Sequence, residues 1–93
     1  MSSINIHDFF SFDNIIDIRD KFKYDLGHID GAINIPYEKI ISNPGDFLDK
    51  DKKYYLYCSK GITSSNVCNI LSKLGYNVFS ISGGYDKFKE HFY

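Results

Sequence analysis

Tyr54-Tyr55-Leu56-Tyr57-Cys58-Ser59-Lys60-Gly61-Ile62-Thr63-Ser64-Ser65 is the stretch that decides the fold. Its first five residues are uncharged and rich in aromatic side chains, which reads as a strand, Tyr54 to Cys58. Ser59 to Ile62 is a loop. From Ser64 to Leu74, Val67, Ile70, Leu71 and Leu74 recur at helical spacing, and Gly75 stands where a C-terminal cap belongs. A strand feeding a helix through a short loop is the repeating step of a parallel α/β sheet.

The flanking sequence repeats that step. Ile15-Ile16-Asp17-Ile18 is a short β-branched run, expected as a buried strand, and Asn77 to Ile81 is another. Gly31 to Pro36 reads as a further strand stopped by its proline, and Tyr37 to Ser42 as a short helix. Asn43-Pro44-Gly45-Asp46 is a turn cluster. Lys21 to Leu26 is polar and ends at Gly27, and Lys50 to Lys53 is a solvated charged turn. Gly83-Gly84 is a turn before a last helix, Tyr85 to Phe92, with Phe88 and Phe92 on one face. At the N-terminus, Ile4 to Ile6 reads as a short edge strand and His7 to Phe12 as a helical turn. The expected fold is α/β, with a mainly parallel central sheet of roughly four to five strands and helices on both faces.

Length and composition bound the function. The 93 residues fit a single domain, and 43% apolar with 17% aromatic content is globular. A net charge of −1, from 11 basic and 12 acidic residues, gives no reason to expect nucleic acid or a membrane surface as partner. No stretch approaches the ~18 apolar residues of a membrane span, and no basic region precedes an apolar run at the N-terminus. Two cysteines, Cys58 and Cys68, do not suggest a disulfide framework. Their spacing and the scattered His7, His28 and His91 match no zinc pattern, so neither metal nor cofactor is expected. The chain reads as soluble and cytoplasmic, with reduced thiols.

Cys58 carries the chemistry. In parallel sheets, reactive groups sit at the carboxyl ends of strands, in loops leading to helices. A short loop closing onto a helix N-terminus turns backbone N–H groups toward one point and makes an anion nest. Gly61 allows the positive φ such a loop needs. Ser59, Thr63, Ser64 and Ser65 supply hydroxyls, one of the last three being the expected N-cap, and Lys60 adds a charge at the rim. This setting favours a thiolate at Cys58, and the thiolate is the nucleophile. The plainer reading, a buried cysteine ending a strand, stands beside it. Cys68 lies among apolar neighbours on the helix and reads as a core residue.

In these residues the chain resembles the rhodanese family along nearly its whole length. Ile15-Ile16-Asp17-Ile18-Arg19 resembles the family's Asp-x-Arg strand, and Gly27-His28-Ile29-Asp30-Gly31-Ala32-Ile33-Asn34-Ile35-Pro36 its Gly-His-Ile-Pro-Gly-Ala-x-Asn-Ile-Pro segment. Tyr57-Cys58 with Gly61 and Ser64 is similar to the active-site loop, and Gly83-Gly84 with Phe88 to the Gly-Gly-x-x-x-Trp ending. The resemblance implies a sulfurtransferase in which Cys58 takes a sulfane sulfur from thiosulfate or another persulfide donor. It then passes that sulfur to cyanide or a thiol. It also implies that the loop Ser59, Lys60, Gly61, Ile62, Thr63 and Ser64 binds the anion. Asp17, Arg19 and His28 read as structural supports. Thr63 stands where many members have Arg, Asp30 where they have Pro, and Phe88 where they have Trp. Two other readings follow: a weakly active binding or regulatory module, and an anion-binding phosphatase or arsenate reductase. The latter enzymes use a loop one residue longer ending in Arg, where this chain has Ser64. Nothing in the sequence specifies the oligomeric state.

Overall fold

A computed structural model describes residues 3–4 and 13–92 of the chain. Five strands form one sheet in the order β1-β5-β4-β2-β3, every neighbouring pair parallel. The strands are β1 (Ser3–Ile4), β2 (Ile15–Asp17), β3 (Ile33–Asn34), β4 (Lys53–Tyr57) and β5 (Asn77–Ile81). The helices are α1 (Lys21–Leu26), α2 (Tyr37–Ser42), α3 (Ile62–Lys73) and α4 (Gly84–Phe92), with a 3-10 turn at Pro44–Asp46. The helical turn expected over residues 7–12 lies outside the described residues, as does Ile6 of the expected edge strand. Among the described residues no helix is long and apolar enough to cross a membrane.

The sheet is covered on both faces because its strands alternate in two registers. Ile16, Ile18, Tyr54, Leu56, Cys58 and Val78 face one core, where they meet Ile40 of α2 and Val67, Cys68 and Leu71 of α3. Ile15, Tyr57 and Ile81 face the other, closed by Ile29, Ala32 and by Tyr85 and Phe88 of α4. Side chains two residues apart on a strand share a face, so β2, β4 and β5 each contribute to both cores. Phe88 buries as expected; the side chain of Phe92 is outside the described set.

Several elements differ from the sequence reading. Lys21–Leu26 is a helix. The Asp20 side chain caps it by accepting from Lys23 N at 2.9 Å, and Lys21 pairs with Asp25 at 2.7 Å. It buries none of its residues, leaves Phe22 73% and Leu26 75% exposed, and is too short to build an apolar face. The strand expected over Gly31 to Pro36 pairs only at Ile33–Asn34. Gly31 sits at φ 87° in a turn closed by Ala32 N on Ile29 O at 3.0 Å, and Pro36 has no N–H to give. Helix α3 begins at Ile62, two residues early.

The connection order reverses between β2 and β4. The chain leaves β2 outward to β3, and leaves β4 the other way to β5. A crevice therefore opens between the carboxyl ends of those two strands. A buried ion pair holds its wall. Asp17, fully buried, accepts from the Arg19 backbone N at 2.9 Å, from Nε at 3.0 and 3.1 Å and from Nη2 at 2.6 Å. Nη2 also donates to Gly27 O at 2.7 Å, and the guanidinium lies 4.3 Å from the centre of the Tyr85 ring. Burial disfavours the Arg19 charge, but Asp17 outweighs it and its pKa is raised.

Removing one partner of such a pair strands a buried charge. Asp17→Ala should lower unfolding free energy by ~3–5 kcal/mol. Lys21→Ala, which breaks only an exposed pair, should cost at most about 1 kcal/mol. Urea unfolding midpoints of the two variants check this; equal losses would contradict it.

Candidate active site

Cys58 follows the last residue of β4 and enters the loop that starts α3. Its Sγ is the point on which that loop closes. Gly61 N donates to Sγ at 3.1 Å and Ser64 N at 3.2 Å. Ser64 is the third residue of α3, so its amide is one that a capping side chain normally satisfies. Here the sulfur does so. The expected N-cap among Thr63, Ser64 and Ser65 is corrected: the cap residue is Gly61, at φ 95°, with no side-chain cap bond. The hydroxyls fall inside the helix because the cysteine already occupies the capping position from the preceding strand.

Two glycines make this closure feasible. A Cβ on Gly61 would lie 3.0 Å from Gly83 N. A Cβ on Gly84, at φ 62°, would overlap Cys58 O and lie 2.7 Å from Ser59 O. That approach lets the first turn of α4 clamp the loop, with Tyr85 N donating to Cys58 O at 2.8 Å and Asp86 N to Ser59 O at 2.9 Å. Both carbonyls are thereby turned away from the sulfur and its donors.

Behind the sulfur is a short chain of hydroxyls. Ser64 Oγ lies 3.4 Å from Sγ, 3.4 Å from Gly61 O and 2.7 Å from Ser80 Oγ. Ser64 and Ser80 are both buried. Either hydroxyl can donate in the Ser64–Ser80 contact, and the Cys58 thiol donates to Ser64 Oγ. Sequence reasoning missed Ser80. Its signal was a polar residue at an inward position of β5, two after buried Val78.

The residues of the expected site separate into groups. A cleft of about 470 Å³ at the carboxyl ends of β2 and β4 is lined by Cys58, Ser59, Lys60, Ile62 and Thr63 from the loop. Arg19, Asp20 and Lys23 line it from the β2 side, and Tyr37 and Glu38 from α2. Lys60 and Thr63 are exposed, and Ile62 is 70% exposed at the rim. Gly61 and Ser64 lie beneath as donors. Asp17 and Arg19 form the supporting ion pair described above. His28 lines no described cleft: its Nδ1–H donates to Tyr24 O at 2.8 Å and its ring stacks on Tyr24 at 3.7 Å. Buried Tyr57 accepts from Ile29 N at 3.0 Å. Burial, then the Asp17 carboxylate, pushes its phenol far above the ordinary range.

Cys68 is fully buried in the core on the α2–α3 face. Burial, with a smaller contribution from Cys58, pushes its thiol up to about 12. No three metal-ligating side chains cluster among the described residues.

Comparison with known proteins identifies relatives. The family described as rhodanese-like domain matches residues 4–91. The chain is similar to the thiosulfate sulfurtransferase GlpE of Shewanella oneidensis, 36% identical over 77 residues that cover 82% of this chain and 75% of that protein. GlpE of Coxiella burnetii is 33% identical over 78 residues, covering 83% and 72%. Among solved structures, a rhodanese-related protein from Thermoplasma volcanium superposes with a TM-score of 0.90 at 31% identity, covering 100% of this chain and 95% of that one.

The two cysteines should behave oppositely toward alkylation. Iodoacetamide at pH 8 should add one group to the native protein, on Cys58, and a second only after unfolding; peptide mass mapping checks this. The raised Cys68 also sets a sign for alkaline stability. Above the ordinary thiol pKa the unfolded chain loses a proton that the folded chain keeps, so stability falls with rising pH until the folded value is passed. Between about pH 9 and 11 this thiol removes up to ~1.4 kcal/mol per unit. The decline in Cys68→Ala should be shallower than in the wild type, and parallel slopes would contradict the assignment.

Proposed function

This chain belongs to the rhodanese-like domain family, and on that premise we propose that it is a sulfurtransferase with Cys58 as nucleophile. The observation that carries the reading is the convergence of the Gly61 and Ser64 amides on Cys58 Sγ. Hydrogen bonds to a charged acceptor are roughly twice as strong as neutral ones, so these donors can hold a sulfur that carries charge during the transfer. Ser64 Oγ lies 3.4 Å from Sγ and is a further polar group within reach of the sulfur. Among the described residues no carboxylate is hydrogen-bonded to Sγ.

The reaction has two steps. In the first, the Cys58 thiolate attacks the outer sulfur of thiosulfate or of an organic persulfide. The donor's S–S bond breaks and its electron pair leaves with sulfite or a thiolate. Cys58 then carries a persulfide, whose terminal sulfur is anionic and faces the cleft. In the second, an acceptor thiolate or cyanide attacks that terminal sulfur, and the electron pair of the broken bond returns to Sγ. Sulfur moves at constant total electron count, so neither step calls for a redox cofactor. Covalent catalysis of this kind follows ping-pong kinetics.

The reading as a binding module gains no support from this geometry, since the nucleophile and both amide donors are in place. The phosphatase-type reading needs a guanidinium at the end of the loop. Position 64 is a serine turned inward to Ser80. The one arginine, Arg19, is engaged with Asp17 and Gly27.

Exposure of the purified protein to thiosulfate or an organic persulfide should add the mass of one sulfur atom to Cys58, and Cys58→Ser should gain nothing. Intact mass spectrometry decides it: absence of a donor-dependent adduct on the wild type across a donor panel would end the proposal. Thr63→Arg should raise turnover with thiosulfate by several-fold, because an exposed side chain on the cleft wall would supply a charged fork for the sulfonate end. An unchanged or lower rate in a folded variant would show that donor-anion binding is not limiting.

A further inference from the structure

A second cleft, about 410 Å³, adjoins the first and shares Arg19, Lys23, Ser59 and Lys60 with it. Its remaining walls are Leu26 and Gly27 at the end of α1, and Tyr85, Asp86 and Lys89 of α4. Four of its lining residues are cationic, Arg19, Lys23, Lys60 and Lys89, and one, Asp86, is anionic. Asp17 neutralises Arg19, which leaves Lys23, Lys60 and Lys89 against Asp86. None of the three lysines makes an ion pair among the described residues. The Tyr85 ring gathers cations on its faces, with Arg19 at 4.3 Å and Lys89 Nζ at 5.4 Å from its centre. This excess of positive charge occurs in a chain whose net charge is −1. The first cleft, by contrast, balances Lys23 and Lys60 against Asp20 and Glu38.

We propose that this second cleft is an anion subsite, and that it binds the carboxylates of an organic thiol or persulfide whose sulfur lies in the first cleft at Cys58. The inference rests on the sulfurtransferase reading and names the substrate class. The amides of Gly61 and Ser64 are committed to Sγ, and position 63 has no guanidinium, so a substrate's charge has to be held elsewhere. Lys60 and Ser59 form the boundary between the clefts, which puts carboxylates in the second within a few bonds of a sulfur in the first. A volume of this size suits a small organic molecule. Thiosulfate carries its charge on the sulfonate beside the reacting sulfur and cannot reach both. The transfer is the second step above: the acceptor thiolate bonds to the terminal sulfur, and the bond to Sγ breaks with its electrons returning to Cys58.

The test uses the full chain, loaded with sulfur at Cys58. Its discharge is timed with mercaptosuccinate, which has two carboxylates, with uncharged mercaptoethanol, and with cationic cysteamine. Each rate is divided by that of the same thiol with a small-molecule persulfide, which removes intrinsic reactivity. Wild type should favour mercaptosuccinate over mercaptoethanol by about five- to tenfold and disfavour cysteamine. In the double variant Lys23→Glu, Lys89→Glu, both exposed positions, the order should reverse. In about 1 M salt, where screening acts within ~3 Å, the wild-type preference should shrink toward unity. A cysteine peptide flanked by aspartates identifies the source: a mercaptosuccinate preference that the peptide does not share assigns a free small thiol, and a peptide preferred over mercaptosuccinate as well as over mercaptoethanol assigns an acidic protein segment. Loading and discharge with equal corrected rates for all thiols, in wild type and variant alike, would overturn the subsite while leaving sulfur transfer intact. Failure of Cys58 to load at all would overturn both.

Discussion

The acceptance of two backbone amides by one sulfur atom organises this molecule. Cys58 Sγ takes the hydrogen bonds of Gly61 N and Ser64 N, and thereby caps α3 from the strand before it. A cysteine in that role ties a reactive atom to the structural integrity of the loop. The loop must curl tightly enough to bring an amide three residues ahead back onto the sulfur, which requires the left-handed backbone at Gly61. It must also leave its own carbonyls somewhere, and α4 supplies the donors for Cys58 O and Ser59 O. That contact in turn demands a residue without a side chain at Gly84. One capping interaction thus constrains glycines more than twenty residues apart.

The same logic explains why the pair Asp17–Arg19 lies where it does. The crevice needs a firm wall on the β2 side, yet its floor is a buried region in which a free charge is costly. The bidentate pair, with the Gly27 carbonyl and the Tyr85 ring around it, gives a charged but fully satisfied wall. Asn34 Nδ2 then donates to the carbonyls of Asp17 and Arg19, at 3.0 and 2.9 Å, and ties β3 to the same turn. These residues shape the site without touching the sulfur.

Much of this was legible in the sequence, and the gaps have physical causes. The strands Ile15–Asp17, Lys53–Tyr57 and Asn77–Ile81 followed from short apolar runs between turn residues, and α3 from its apolar spacing, since burial imposes those patterns locally. The nucleophile and its loop followed from a strand that runs into a helix through a glycine. Helix α1 was missed because it buries nothing. The N-cap was misassigned because hydroxyls usually cap helices, and only the closed loop reveals that the sulfur does so first. Ser80 was missed because its partner Ser64 is sixteen residues away, across most of a helix and a turn. The second cleft was invisible for the same reason: α1 and α4 meet at it, and their lysines carry no local sign of convergence.

That division between local and long-range information bears on how such a site acquires selectivity. The atoms that touch the sulfur come from one continuous loop, and their number is limited by its backbone. With two amides directed at Sγ, the loop has little left with which to recognise a substrate. Recognition then falls to side chains brought in by other elements: Tyr37 and Glu38 from α2, Lys23 beyond β2, Lys89 from α4. Each sits on a segment that can change without disturbing the capping geometry. Lys23 lies on α1, which contributes nothing to either core, and Lys89 lies on the exposed face of α4. The chemistry is therefore fixed by a constraint that tolerates no substitution at Gly61 or Gly84, while the charge around it is carried on surfaces whose alteration costs little stability.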